Sequence, residues 1–432
     1  MQELSETVLD EDVGRGLSQF SRSENGTVPL PRPARYRYVR LRWRVLFTLI
    51  DTLGYAAAGL LARLGRMLGR RRPAPAPAGQ DDPRVVLLVQ LDHLGDAIIS
   101  TAILPSLRAR YPAASIEVLA GPWNRDLFEA MAEVDRVHVS RVNRFARSGL
   151  ARFAWTAATF WWGLRLRRRQ VDLGVDLRGE FPIALMLWLC GARRRLGWPC
   201  GGGGFLLTDT ADFLPGRPEV ESRWALIARL GIHPPDEPRR CRPRFDAPAI
   251  GVRESEIGVR KSGIGGLVVL HVGAGTPAKQ WPAAYWRELL GRIIVAHGPQ
   301  VVLVGSGKDC KIAAEILGSR RWPGVVDCTG RLNVAELAAV LRRADVLVGA
   351  DSAPAHLAAA VGTSVVVLFS GTNDPLQWKP CGRSVTVLRH EVACSPCHRE
   401  RCPLRGHPCM SGLRPRQVAA AVDRICGKGV RL

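Results

Sequence analysis

The chain has 432 residues, 47 % of them apolar, and a formal charge of +22. That length exceeds what one hydrophobic core usually supports, about 250–300 residues, and that apolar share excludes a largely disordered chain. The charge points to a polyanionic partner (nucleic acid, anionic membrane or phosphorylated glycan), although only six of the basic residues are Lys and a general preference for Arg gives the same sum.

Residues 1–34 are polar, rich in Ser, Glu, Gly and Pro, and read as a disordered tail. Met1–Asp12 is polar and acidic, without a secretory pattern, so the eleven Cys read as thiols facing a reducing cytoplasm. Residues 35–80 read as a basic, membrane-associating segment with a linker. Within it, residues 35–72 hold ten Arg and one Asp around the apolar run Val45–Ala62, whose only charge is Asp51. Basic flanks around such a run predict an amphipathic anchor lying in the plane of anionic lipid. A true span, or a helix packed on the body, is the alternative. Pro73–Ala78 alternates Pro with Ala and predicts a stiff linker.

The folded body begins with the apolar strand Val85–Gln90. Helix Ala97–Arg110, strand Ser115–Ala120, helix Trp123–Ala132, strand Arg136–Val139, a basic helix over 145–169, strand Val171–Asp176, helix Phe181–Cys190 and strand Arg194–Gly197 follow. This alternation predicts a doubly wound parallel sheet over residues 84–245. Gly201–Gly204 reads as a mobile loop, and residues 234–262, rich in Pro and charge, as a linker. A second series over 262–432 has strands Leu267–His271, Val301–Val304, Val325–Asp327, Val346–Gly349 and Val365–Phe369. Its helices fall near 282–297, 308–319, 333–343, 352–361 and 414–426. Two doubly wound domains facing a cleft suit two substrates.

Chemistry gathers where strands end. Val85–Gln90 runs into Leu91-Asp92-His93-Leu94-Gly95-Asp96, where Gly95 permits a tight turn and Asp96 opens the next helix. Asp96 can be a general base on a hydroxyl or only a helix cap. Asp92 and His93 share the loop, as a carboxylate–imidazole pair or as solvated groups. In the second series, Gly273-Ala274-Gly275 lets backbone N–H groups approach a phosphate, and Lys279 adds a point charge. Gly305-Ser306-Gly307-Lys308-Asp309 is a further nucleotide-type turn. Asp351-Ser352-Ala353-Pro354-Ala355-His356 sits where a buried strand meets a helix N-terminus, a place that favours anions. His356, a turn inside that helix, extends the reading to a polyhydroxylated anion such as a nucleotide sugar.

Together these segments resemble glycosyltransferase family 9, the ADP-heptose:lipopolysaccharide heptosyltransferases, from about Val85 to Ser411. The resemblance rests on Leu94-Gly95-Asp96, on Gly273 through Lys279-Gln280-Trp281-Pro282, on Gly349 through Ala358, and on Leu368-Phe369-Ser370-Gly371-Thr372-Asn373-Asp374-Pro375. It implies a GT-B fold, two Rossmann-like domains facing a cleft, here with an N-terminal basic amphipathic extension. It implies inverting transfer of a sugar, most naturally heptose from ADP-heptose, to a lipopolysaccharide core or related glycan, with Asp96 as general base. Gly273, Gly275, Lys279, Asp309, Asp351, Ser352, Ala353 and His356 would hold the donor. Asp92, His93 and Gly95 would face a lipid-linked or phosphorylated acceptor. No cofactor beyond the nucleotide sugar and no nucleic acid is expected, and the setting is the cytoplasmic face of the membrane. A nucleotide-sugar epimerase of the same shape, or a membrane-tethered nucleotide-sugar binding protein without activity, are the alternatives. Cys394, Cys397, Cys402 and Cys409 have spacing compatible with a metal knuckle, a disulfide or thiols packed beneath a loop.

Overall fold

A computed structural model describes residues 41–67, 82–142, 149–237, 241–245, 266–297 and 300–427. The expected tail over 1–34 and the Pro-Ala linker lie outside these residues. The body holds two six-stranded parallel sheets. The first contains β1 (Val85–Gln90), β2 (Ser115–Ala120), β3 (Arg136–Val139), β4 (Leu173–Asp176), β5 (Arg194–Gly197) and β6 (Asp209–Thr210), in the order β3-β2-β1-β4-β5-β6. The second contains β7 (Leu267–His271), β8 (Gln300–Val304), β9 (Val325–Asp327), β10 (Val346–Ala350), β11 (Ser364–Phe369) and β12 (Val385–Arg389), ordered β12-β11-β10-β7-β8-β9. Each order is the doubly wound one, reversing direction beside its first strand. β7 and β10 are buried along their whole length, and β1 at all but Val85, which is why they read as unbroken apolar runs.

The sheets share a core. The helix Leu94–Ser100 packs on the helix Ala353–Ala360, and one cluster joins Ala97 and Ile98 to Ala355, Leu357 and Ala358. The carboxyl ends of β1, β7 and β10 are thereby brought together.

Local chemistry corrects several element boundaries. The helix expected over Ala97–Arg110 is broken by a 3-10 turn at Thr101–Ile103, just before Leu104–Arg110. Pro105 lacks the N–H that would continue the ladder. Trp123–Ala132 shortens to Arg125–Glu129 behind a 3-10 turn that starts at Pro122. The basic helix runs Gly149–Leu166 and closes in a 3-10 turn, Arg167–Arg169. β6 and β12 are short edge strands that the hydrophobic pattern did not announce.

The Gly201–Gly204 segment is a seat, not a mobile loop. The helix Leu41–Met67 lies across it. Asp51 is buried, and its Oδ1 accepts the Gly203 N–H at 2.7 Å. Phe47 packs over Gly202, and the Tyr55 hydroxyl meets Gly204. Gly202 and Gly203 have φ of +84° and +80°, which glycine adopts without strain. Phe47, Asp51 and Tyr55 follow at helical spacing and form the packed face. Leu49, Leu53, Leu60 and Leu61 lie outside that face and are exposed.

Candidate active site between the two sheets

On the first sheet, β1 ends in the loop before the helix Leu94–Ser100. Gly95 touches the opposite half directly: a Cβ there would sit 3.4 Å from the His356 ring and 3.8 Å from Ala353 Cα. Asp96 follows in the first turn of its helix and is half-buried. Its neighbour His93 is exposed. Asp92 is buried and ion-paired with Arg178, whose Nε also reaches Glu180 at 2.5 Å. The Asp92 carbonyl accepts Trp123 Nε1 at 2.6 Å and Asn124 Nδ2 at 2.8 Å. The loop that aims Asp96 is therefore pinned from two neighbouring strand ends, with Arg178 as the carboxylate's partner. Beside it, Asp176 accepts the N–H groups of Arg178, Gly179 and Glu180 at 2.8–3.1 Å. Burial pushes the Asp176 carboxyl up to about 6, against the pull of those three bonds.

On the second sheet, Lys279 lies in a 3-10 turn after the Gly273–Gly275 loop. Its Nζ donates to Asp351 Oδ2 at 2.6 Å and to the Asp351 carbonyl at 3.1 Å. Asn373 Nδ2 donates to the same Oδ2 at 2.7 Å. Ser352 Oγ stands 3.2 Å from His271 Nδ1. Asp309 Oδ2 accepts the Ser306 N–H and hydroxyl, each at 2.7 Å, and its carboxylate fills the space where a Cβ at Gly273 would go. Thus Gly273, Lys279, Asp309, Asp351, Ser352 and His356 converge. Gly275 lies in the same loop with open space around it, and Ala353 begins the helix that Gly95 touches.

Asn373 and Arg178 are contributors that sequence reasoning did not assign. Asn373 lies in the Leu368–Pro375 motif, where its type alone signals no role. Arg178 carried no signal, because its partner lies far back in the chain.

His271 and His356 are both buried, and burial pushes each down to about 4 from an ordinary 6.5. Both are neutral at pH 7, so His356 can meet a ligand as a neutral donor or acceptor. As pH falls from 6.5 to 4 the unfolded chain takes up these protons and the folded chain does not. Stability therefore drops across that window, by on the order of 3 kcal/mol per histidine. Urea unfolding between pH 7 and pH 4 checks this: His356→Gln is expected to flatten the slope, and an unchanged slope would contradict the burial argument.

The cysteine segment is a strap over the same loops. Cys397 N–H donates to the Gly371 carbonyl at 2.8 Å, and Ala278 N–H to the Glu400 carbonyl at 3.0 Å. His407 Nε2 stands 2.9 Å from the Ala278 carbonyl. Cys394, Cys397, Cys402 and Cys409 are free thiols. Among the described residues no three His, Cys, Asp or Glu side chains are grouped to hold a metal ion. The segment braces the turn that carries Lys279; Cys394 is exposed, Cys397 and Cys402 are half-buried and Cys409 is buried.

The profile of glycosyltransferase family 9 (heptosyltransferase) matches residues 162–407. The chain is 26 % identical over 349 residues to lipopolysaccharide heptosyltransferase 3 of Escherichia coli, covering 77 % of this chain and 96 % of that one. Against lipopolysaccharide heptosyltransferase 2 of Escherichia coli K12 it is 26 % identical over 322 residues, 70 % and 87 % of the two chains. Among solved structures, the E. coli ADP-heptose LPS heptosyltransferase II superposes with a TM-score of 0.65 at 23 % identity, over 80 % of this chain and 99 % of that one. A family 9 glycosyltransferase from Veillonella parvula superposes with a TM-score of 0.67 at 17 % identity, over 82 % and 100 %. At these identities the superpositions speak for the fold alone.

Proposed function

The chain belongs to glycosyltransferase family 9, and from that membership we propose that it transfers heptose from ADP-heptose, with inversion, to a lipopolysaccharide core or related glycan. The observation that carries the site assignment is the contact of Gly95 with His356 and Ala353. It brings the turn that carries Asp96 against the helix that opens beside Asp351.

In this reading Asp96 takes the proton from an acceptor hydroxyl as that oxygen attacks the anomeric carbon. The bond from that carbon to the diphosphate breaks, and the nucleoside diphosphate leaves with the electron pair. A single displacement on the face opposite the leaving group inverts the centre. Negative charge grows on the diphosphate. The N–H groups at the start of Ala353–Ala360, the Gly273–Gly275 backbone and the remaining Lys279 proton are placed to meet it, and the chemistry does not call for a metal. Neutral His356 and the Asp351 carboxylate suit sugar hydroxyls, and Asp309 is the candidate for the ribose.

The helix Leu41–Met67 favours a body held at the cytoplasmic face of a membrane. Arg44–Leu61 is long and apolar enough to cross a bilayer by composition, with 6 % of it buried. Yet Asp51, at its middle, is bonded to Gly203 of the body. A spanning placement would break that bond or pull the glycine seat into hydrocarbon, where unpaired backbone groups are costly. We therefore read the helix as lying in plane, with its exposed leucines turned to lipid.

Donor choice is tested by thermal shift with ADP-, UDP- and GDP-sugars. The expected result is a rise in melting temperature with ADP-heptose that exceeds the others at equal concentration. A larger response to UDP- or GDP-sugars would overturn the donor assignment.

A further inference from the structure

A cleft of about 510 Å³ opens at the basic end of the Gly149–Leu166 helix, lined by Arg136, His138, Trp161, Arg165, Arg168 and Arg169. It lies far from the site described above. Arg136 begins β3, and Arg165–Arg169 lead back to the start of β4, so the cleft is at the amino edge of the sheet, whereas Asp96 stands at the carboxyl edge. We propose that this cleft binds the phosphate headgroup of an anionic phospholipid and gives the first half of the enzyme a membrane contact separate from the Leu41–Met67 helix.

Charge and shape carry the argument. Glu117, an acid beneath the cleft, is fully buried and already satisfied. Its Oε2 stands 2.6 Å from His138 Nε2, and Oε1 is ion-paired with Arg169. Burial alone would raise this carboxyl, but the bonds from His138 and Arg169 win and hold it at about 2. Arg136 Nε stands 4.0 Å from Glu117 Oε1, at the limit of an ion pair. Among the described residues no carboxylate pairs with Arg165 or Arg168. The Arg165 guanidinium lies over the Trp161 ring at 5.1 Å, which fixes its direction while leaving its N–H edges available. The cleft is thus a pre-ordered cationic seat with its internal counter-charge spent.

The rim selects the occupant. Phe160, Trp161 and Leu164 protrude beside the cleft from one helix, each roughly half exposed, and Trp188 protrudes from the adjoining Phe181–Leu189 helix. A soluble phosphate ligand has no use for these apolar groups. An interface of headgroups over acyl chains uses both: guanidinium groups meet phosphate while aromatic and aliphatic side chains enter the layer beneath. The Leu41–Met67 helix touches Phe181, and Trp188 stands at the other end of that same nine-residue helix. The two contacts are therefore about 10 Å apart along it, close enough for one membrane to meet both.

The test is partitioning of the full chain onto vesicles of phosphatidylcholine, alone or with a third phosphatidylglycerol. R165A/R168A is expected to lower binding to the anionic vesicles by about ten- to thirtyfold and to leave binding to the neutral ones unchanged. The control pair R320A/R321A, exposed arginines of the second half, is expected to change neither. An equal loss in the control would mean diffuse charge and would overturn the cleft. L53D/L60D/L61D removes the helix contact, and its residual anionic binding is expected still to depend on Arg165 and Arg168. Release by inorganic phosphate at matched ionic strength would assign the cleft to a soluble phosphate, and displacement by a short single-stranded RNA would assign it to nucleic acid; either result overturns the lipid assignment. The donor-induced thermal shift, unchanged in every variant, shows that the fold is intact. It also keeps failure of this proposal separate from failure of the transferase reading.

Discussion

Asp96→Asn is expected to lower kcat by about 10²–10⁴-fold and to leave nucleotide-sugar affinity nearly unchanged. Asp96 stands in the first turn of Leu94–Ser100, where no side chain caps the helix. The substitution keeps size and shape and removes only the ability to accept a proton. If Asp96 served the helix alone, the change would cost a few tenths of a kcal/mol of stability and no turnover. Steady-state kinetics with donor titration by calorimetry separates the two. Wild-type turnover in the variant would remove Asp96 from the reaction.

Lys279→Ala is expected to have the second largest effect, for two reasons that can be measured apart. Asp351 is buried, and Lys279 is its cationic partner, with Asn373 donating to the same oxygen. Removing the lysine leaves a buried carboxylate short of charge, at a cost of about 3 kcal/mol in stability. It would also remove the charge-assisted contact proposed to the donor diphosphate, about 1.5–3 kcal/mol of binding. Lys279→Ala/Asp351→Asn is expected to recover much of the stability and none of the nucleoside diphosphate affinity. Recovery of both would mean that Lys279 acts only through Asp351, and an unchanged dissociation constant in the single variant would end its assignment to the donor.

The parts legible in the sequence were those that repeat locally. Runs such as Val346–Ala350 announce a buried parallel strand, and the glycines and carboxylates clustered after such runs announce the loops at its carboxyl end. That was enough to single out Asp96, Gly273, Lys279 and Asp351. What stayed hidden were pairings between distant segments, which leave no period to read. Asp92 finds Arg178, Asp351 is shared by Lys279 and Asn373, and Glu117 is neutralised by His138 and Arg169. Asp51 shows both sides of this. As the single charge in an apolar run it argued against a span. Its actual partner, the Gly203 N–H, lies 152 residues away, so Gly201–Gly204 looked like a mobile loop until the helix was seen to rest on it.

The proposed inverting transfer from a nucleotide-diphospho-sugar, with Asp96 as base, has a direct chemical readout. The most direct measurement is incubation of the enzyme with ADP-heptose and a truncated lipopolysaccharide core, followed by mass spectrometry and by NMR of the new linkage. ADP release is expected to be matched by a core one heptose heavier, with the anomeric configuration inverted, and this product is expected to be lost in Asp96→Asn. A retained configuration, ADP release without a heavier core, or an isomerised donor in the absence of acceptor would contradict it.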